Sequence, residues 1–129
     1  MAGVVHIQWY ATILRQDALA DEVSRAARTS LRYGSTQYSV HRSDDDRYRI
    51  LQMVWFDSKA DWYRYWEGPE MIEFRRRNSG HYQIPIAYVW HKELAAGALG
   101  PQVPLEPEPL PDPGTAGPVG VGGPQAAGS

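Results

Sequence analysis

Residues 47–74 read RYRILQMVWFDSKADWYRYWEGPEMIEF and contain three elements in a row. From Arg47 to Phe56, the residues Ile50, Leu51, Met53, Val54, Trp55 and Phe56 are apolar on both alternating faces, as in a buried strand, and Gln52 sits alone in their middle. Ser58 followed by Asp61 forms a capping box in which Asp replaces the usual Glu, so a helix starts there. Trp62, Tyr65 and Trp66 share one face of that helix at 3.6-residue periodicity. Gly68-Pro69 ends it and opens another, because proline is well tolerated at a first helical position. The new helix carries Met71, Ile72 and Phe74, then Arg75, Arg76 and Arg77, which suit the negative end of its dipole, and stops near Asn78-Ser79-Gly80.

Upstream, Val4 to Leu14 alternates strictly. Val5, Ile7, Trp9, Ala11 and Ile13 define a dry face; Val4, His6, Gln8, Tyr10, Thr12 and Leu14 define a mixed one. Asp17 is placed to cap a helix whose apolar residues Leu19, Val23, Ala26, Ala27, Ser30 and Leu31 form one stripe. Asp21 and Arg25 stand four apart in the favoured orientation, and Gly34 supplies the stop. Ser35 to Arg42 is a second strand, and Ser43 to Asp46 make the turn into the third. Downstream, Ile84 to Lys92 is a fourth strand, with Pro85 near its entry. From Gly97 onward, Pro alternates with Gly and Ala, with too little apolar bulk to offset ordering entropy. The expected organisation is one domain over residues 1–94 and a disordered Pro/Gly/Ala-rich tail over 95–129.

The order βαββααβ predicts an α+β, ferredoxin-like fold: a four-stranded antiparallel sheet with helices on one face. The other face carries Val4, Tyr10, Leu14 and the second apolar side of the third strand. An open apolar sheet of that size calls for a partner, and two copies packed sheet to sheet would cover it.

Composition narrows the functional classes. The 129-residue chain has a net charge of −2, and its tail alone carries −3 through Glu106, Glu108 and Asp112, leaving +1 for the first 94 residues. A near-neutral domain offers no basic face for nucleic acid. With no Cys there is no disulfide, thiolate metal site or cysteine nucleophile. The apolar runs are far shorter than the ~20 residues that span a bilayer, and the N-terminus lacks a basic leader; a soluble, cytoplasmic protein with no membrane partner is expected. No Ser-His-Asp pattern, phosphate loop or dinucleotide fingerprint occurs.

The junction Trp55-Phe56-Asp57-Ser58-Lys59-Ala60-Asp61-Trp62 and the short helix Gly68-Pro69-Glu70-Met71-Ile72-Glu73-Phe74 resemble those of the antibiotic biosynthesis monooxygenase family of the dimeric α/β-barrel superfamily. The resemblance covers residues 4–94 and implies a homodimer with a pocket in each protomer between sheet and helices. It also implies oxidation of a flat phenol or quinol-like molecule with no cofactor or metal, the substrate anion giving an electron to oxygen directly. A related branch degrades heme with a first-strand Asn and a helical His. This chain has no Asn in its first strand and no His between Pro69 and Gly80, so heme chemistry is not expected. A non-catalytic ligand-binding or interaction protein of the same fold, or an isomerase or lyase with a His base, are the alternatives.

The candidate catalytic residues are His6, Tyr10 and His81. His6, Gln8 and Tyr10 point the same way from the first strand, and pairing of the first and third strands would bring Gln52 near them to polarise a phenol oxygen; a polar layer in a dimer interface is the competing reading. His81 and Tyr82 sit in a loop on a rigid scaffold, where acid–base chemistry is often carried, although a surface histidine fits equally. Trp62, Tyr65 and Trp66 either wall a flat ligand or fill the core. Gln8, Gln52, Trp62, Tyr65, Trp66 and Tyr82 are the expected substrate-binding residues, with a small aromatic molecule as ligand. His41 and His91 lie near strand ends and read as exposed. No two histidines stand at metal-ligand spacing in the sequence.

Overall fold

The structure, a computed structural model, describes residues 2–100. The chain divides into two units, Met1–Glu93 and Leu94–Ser129. In the second unit only residues 94–100 are described; they contain no helix or strand, and the expectation of a disordered tail falls largely outside the described residues.

The first unit runs β1 (Gly3–Tyr10), α1 (Gln16–Arg28) with a 3-10 turn (Thr29–Tyr33), β2 (Ser35–Arg42), β3 (Arg49–Phe56), α2 (Lys59–Trp66), α3 (Pro69–Arg77) and β4 (Ala87–Lys92). The strands form one antiparallel sheet in the order β2-β3-β1-β4. This is the ferredoxin-like βαββααβ fold. One face of β1 (Val5, Ile7, Trp9) and one face of β3 (Ile50, Gln52, Val54, Phe56) are fully or almost fully buried. They pack with Leu19 and Val23 of α1, Trp62 and Tyr65 of α2, and Met71 and Phe74 of α3. Period-two and 3.6-residue stripes thus meet in a single core. No helix among the described residues is long and apolar enough to cross a membrane.

Local chemistry explains the element ends. Ser58 Oγ accepts the Asp61 N–H at 3.2 Å and caps α2, but Asp61 turns its carboxylate to Arg64, so the box is not reciprocal. Losing that cap through Ser58→Ala should cost about 1 kcal/mol of stability; an unchanged urea midpoint would show that the cap contributes nothing. Gly34 ends the 3-10 turn in the left-handed region, at φ 91°. Gly68 fits because a Cβ there would lie 2.7 Å from the Arg64 carbonyl oxygen.

Several expectations are corrected. β1 stops at Tyr10: Ala11 makes a single bridge to Tyr82, the chain then turns, and Leu14 takes φ 66°. Ile13, expected on the dry face, is 76% exposed. Asp17 does not cap α1; it lies in the first turn and pairs with Arg42. Arg25 pairs with Glu22 rather than Asp21. β4 begins at Ala87 rather than Ile84.

The sheet face away from the helices carries Val4, His6, Gln8 and Tyr10 of β1, opposed by Trp55, Met53, Leu51 and Arg49 of β3. Val89 and His91 of β4 lie beside them, with Val89 54% exposed. We call this the open face.

Candidate functional site

The sheet separates the expected site residues into two groups. His6, Gln8 and Tyr10 lie on the open face. Gln52 does not join them: it pairs with Ile7 and is 0% exposed on the helix side. There its Oε1 accepts the Trp9 indole N–H at 2.9 Å, and its Nε2 donates to the Tyr65 hydroxyl at 3.1 Å. The Tyr65 hydroxyl in turn donates to the Ala26 carbonyl at 2.7 Å. This chain of hydrogen bonds links β1, β3, α1 and α2 and satisfies the buried Trp9, Gln52 and Tyr65 side chains at once. Burial holds the Tyr65 hydroxyl well above its ordinary pKa, so it stays neutral.

On the open face, Tyr10 donates to Asp46 Oδ2 at 2.6 Å; that bond raises the tyrosine pKa and lowers that of the aspartate. His6 is held below the ordinary histidine range, first by partial burial and second by His91. His81 sits near the far end of β1. Its ring lies 3.2 Å from Arg15 Nη1 and 3.4 Å from Asn78 Oδ1, and its backbone carbonyl accepts the Thr12 N–H.

The aromatic stripe of α2 is largely core. Trp62 and Tyr65 are 1% and 0% exposed and pack on Phe56. Trp66 differs, because it links that core to the sheet edge. Its ring centroid lies 6.0 Å from Trp9, 5.1 Å from Trp62 and 5.1 Å from Tyr88 of β4, whose ring is half-exposed.

Over Trp66 sits a cation. The Arg75 guanidinium carbon is 4.2 Å from the ring centroid, a close cation–π contact. Arg76 and Arg77 pair with Glu73, and Arg77 also with Glu22. Arg75 Nη1 is buried with no hydrogen-bond partner among the described residues. Tyr82 closes the side: its hydroxyl donates to the Arg75 carbonyl at 3.3 Å, and its ring meets Trp9 edge-on at 5.1 Å. Burial raises the Tyr82 pKa while Arg75 opposes the shift.

A buried N–H of a permanent cation that lacks an acceptor is costly to hold unless an anion or a polar oxygen answers it. In the sequence, Arg75 to Arg77 fit either an acidic substrate or, more simply, a solvated helix end, and nothing in the run itself sets Arg75 apart. The available signal was spacing: Met71, Phe74, Arg75 and Asn78 fall at i, i+3, i+4 and i+7, on the buried stripe of α3. Tyr88 was also missed.

Elsewhere, a groove of about 230 Å³ between α1 and α3 is lined by Glu22, Arg25, Glu73 and Arg77 among others, whose charges neutralise one another. No group of three or more His, Cys, Asp or Glu side chains among the described residues is placed to hold a metal.

No family model matches the sequence, and no curated protein matches it significantly. The fold has solved counterparts. An antibiotic biosynthesis monooxygenase-like protein from Nitrosomonas europaea superposes with a TM-score of 0.66 at 16% identity, over 72% of this chain and 90% of that one. A second, from Deinococcus radiodurans, gives 0.66 at 12%, over 77% and 98%. A cofactor-independent oxygenase from Streptomyces nogalater, carrying an Asn-to-Ala substitution, gives 0.64 at 8%, over 74% and 95%. At such identities the likeness establishes the fold.

Proposed function

We propose that the protein is a cofactor-free oxygenase that binds a flat phenol as its anion at the Trp66–Arg75 end of the sheet–helix layer. The observation that carries the proposal is the unpartnered Arg75 Nη1 held over Trp66. A guanidinium stacked on one aromatic face keeps in-plane N–H groups free for an anionic oxygen. A phenol ordinarily ionises near pH ~10; a fixed, permanently charged Arg75 favours the phenolate and so brings ionisation closer to neutrality. The half-exposed Tyr88 ring, packed on Trp66, offers surface for the substrate plane, while Trp66 and Tyr82 are themselves buried.

The chemistry then belongs to the substrate. The phenolate passes one electron to dioxygen, the aryloxyl and superoxide radicals combine at a ring carbon, and the resulting hydroperoxide loses water to give a quinone. The balance is one phenol and one dioxygen to one quinone and one water. The protein's part is to bind, orient and ionise. The structural likeness to a cofactor-independent oxygenase supports the class, and the substrate class rests on the Arg75 geometry. His81, held by Arg15 and Asn78, is the candidate proton carrier at the adjoining loop.

A homodimer completes the reading. Val4, Met53, Trp55 and Val89 leave the open face too apolar for a free sheet, and a second copy of the chain is self-complementary to it across a two-fold axis. The burial of Trp62 and Tyr65 favours one alternative, a non-catalytic dimer of the same fold in which the whole stripe is core.

The deciding experiment is a thermal-shift screen against hydroquinones, naphthols and flavonoids, followed by oxygen uptake with any class that binds. The phenolic class should raise the melting temperature, because a ligand that binds only the folded state stabilises it. The rise should vanish in Arg75→Met, with unchanged circular dichroism. No rise with any phenol, or a rise that survives Arg75→Met, would overturn the proposed site.

A further inference from the structure

The open face gathers three of the four histidines in the chain. The register pairs Val4 with His91 and His6 with Val89, so these two rings touch across β1 and β4, with centroids 4.4 Å apart. His41 pairs with Leu51 and Ser39 with Met53, so His41 turns to the same side from β2, where its ring meets the Ser39 hydroxyl at 2.9 Å. His81 lies elsewhere, against Arg15 and Asn78. Carboxylates are scarce around the three. Tyr10 and Arg49 stand at the opposite end of the register from His91. Asp46, in the turn before β3 with Asp44, Asp45 and Arg47, is held by the Tyr10 hydroxyl at 2.6 Å. Glu93 follows directly after β4. No ion pair among the described residues involves His6, His41 or His91.

We propose that, on the homodimer reading above, these histidines make self-association pH-dependent: two copies close sheet to sheet while the imidazoles are neutral and separate as acidification charges them. A copy of the same chain is the one partner whose facing groups are known in advance, because a two-fold interface presents each face to itself. With neutral imidazoles that meeting carries few charges, Arg49 against Asp46 and Glu93, and the apolar Val4, Leu51, Met53 and Val89 supply contact area. With protonated imidazoles each copy brings three more positive charges, and its partner answers with three of its own and a second Arg49. A charge enclosed without a counter-ion is costly to hold. Burial first and His91 second already hold His6 below the ordinary histidine range in the single chain, and a covering copy adds to that burial. The separated chain therefore binds protons more readily than the assembled one. Association is complete above the ordinary histidine pKa of ~6.5 and is lost as the pH falls below it.

The test is sedimentation velocity of the full chain over a concentration series at about pH 7.5 and about pH 5.5. The dimer dissociation constant should be at least about tenfold larger at the lower pH. The triple variant His6→Gln, His41→Gln, His91→Gln should lose that response, and His81→Gln should keep it. Circular dichroism at both pH values establishes that each protein is folded. A second readout needs no variant: in the wild-type NMR spectrum, His6 should titrate at lower pH in concentrated, assembled protein than in dilute, separated protein. A wild type that is monomeric at the higher pH would remove the homodimer and the pH response together. A dimer whose constant does not change with pH, or a His6 midpoint that ignores concentration, would overturn the pH response and leave the homodimer standing. A response that survives the triple substitution, or vanishes in His81→Gln, would remove these histidines as its source.

Discussion

Replacing Trp9 by alanine should lower the unfolding free energy by about 3–5 kcal/mol, the largest loss of stability expected from any single position in this chain. Trp9 is 1% exposed and lies where three elements converge. Its ring meets Trp66 of α2, Phe74 of α3 and Tyr82 of the following loop, and its N–H answers Gln52. Truncation opens a cavity larger than its neighbours can collapse into and strands the Gln52 carbonyl oxygen, so a packing loss and a buried polar penalty add. Urea unfolding should show a lower midpoint at unchanged slope. A loss below about 1 kcal/mol would mean that the three rings close over the gap and that the core is far more plastic than native packing density implies.

Met53→Asp should weaken self-association by at least about 100-fold, equivalent to some 2.7 kcal/mol. Met53 stands near the middle of the open face, paired with His6 on one side and Ser39 on the other. A carboxylate there would be buried without a partner once a second copy covers the sheet, which is more costly than the loss of the thioether contact. Sedimentation velocity across a concentration series measures the shift, and Arg28→Asp, an exposed charge change on α1, serves as control. A dimer that survives Met53→Asp would remove the open face from the interface, and a wild-type monomer at all concentrations would remove the homodimer.

The extent to which the sequence foretold this molecule follows from how strongly each segment is patterned. β1 alternates cleanly, so its dry face was legible residue by residue up to Ala11. The α2 stripe, the Gly34 stop and the Gly68-Pro69 break each depend on local chemistry and were legible for that reason. Gln52 was misplaced because β3 is apolar on both faces: nothing in such a strand says which side turns to the helices until its register with β1 is known. Ile13 and Leu14 extend an apolar alternation past the point where Ala11 N–H turns to the Tyr48 carbonyl and Thr12 N–H to that of His81, contacts set by segments 37 and 69 residues away. Arg75 was hidden by its neighbours, since a run of three arginines reads as solvated although one falls on the buried stripe. The His6–His91 juxtaposition exists only once β1 and β4 lie side by side.

Gln52 has one further consequence, for the uniqueness of the folded state. A strand that is greasy on both sides could slide by one residue against β1 and bury Leu51 and Met53 in place of Ile50, Gln52 and Val54, at little cost in apolar area. Such a slip would carry the Gln52 amide to the open face, and leave the Trp9 N–H without its acceptor and the Tyr65 hydroxyl oxygen without its donor deep in the protein. The single polar residue in β3 thus acts as a key that fits one registration of the sheet and penalises its neighbour. Gln52→Leu is accordingly expected to show doubled or broadened amide signals along β2 and β3 in a heteronuclear NMR spectrum, and a single sharp set would show that the turns alone keep the strands in step.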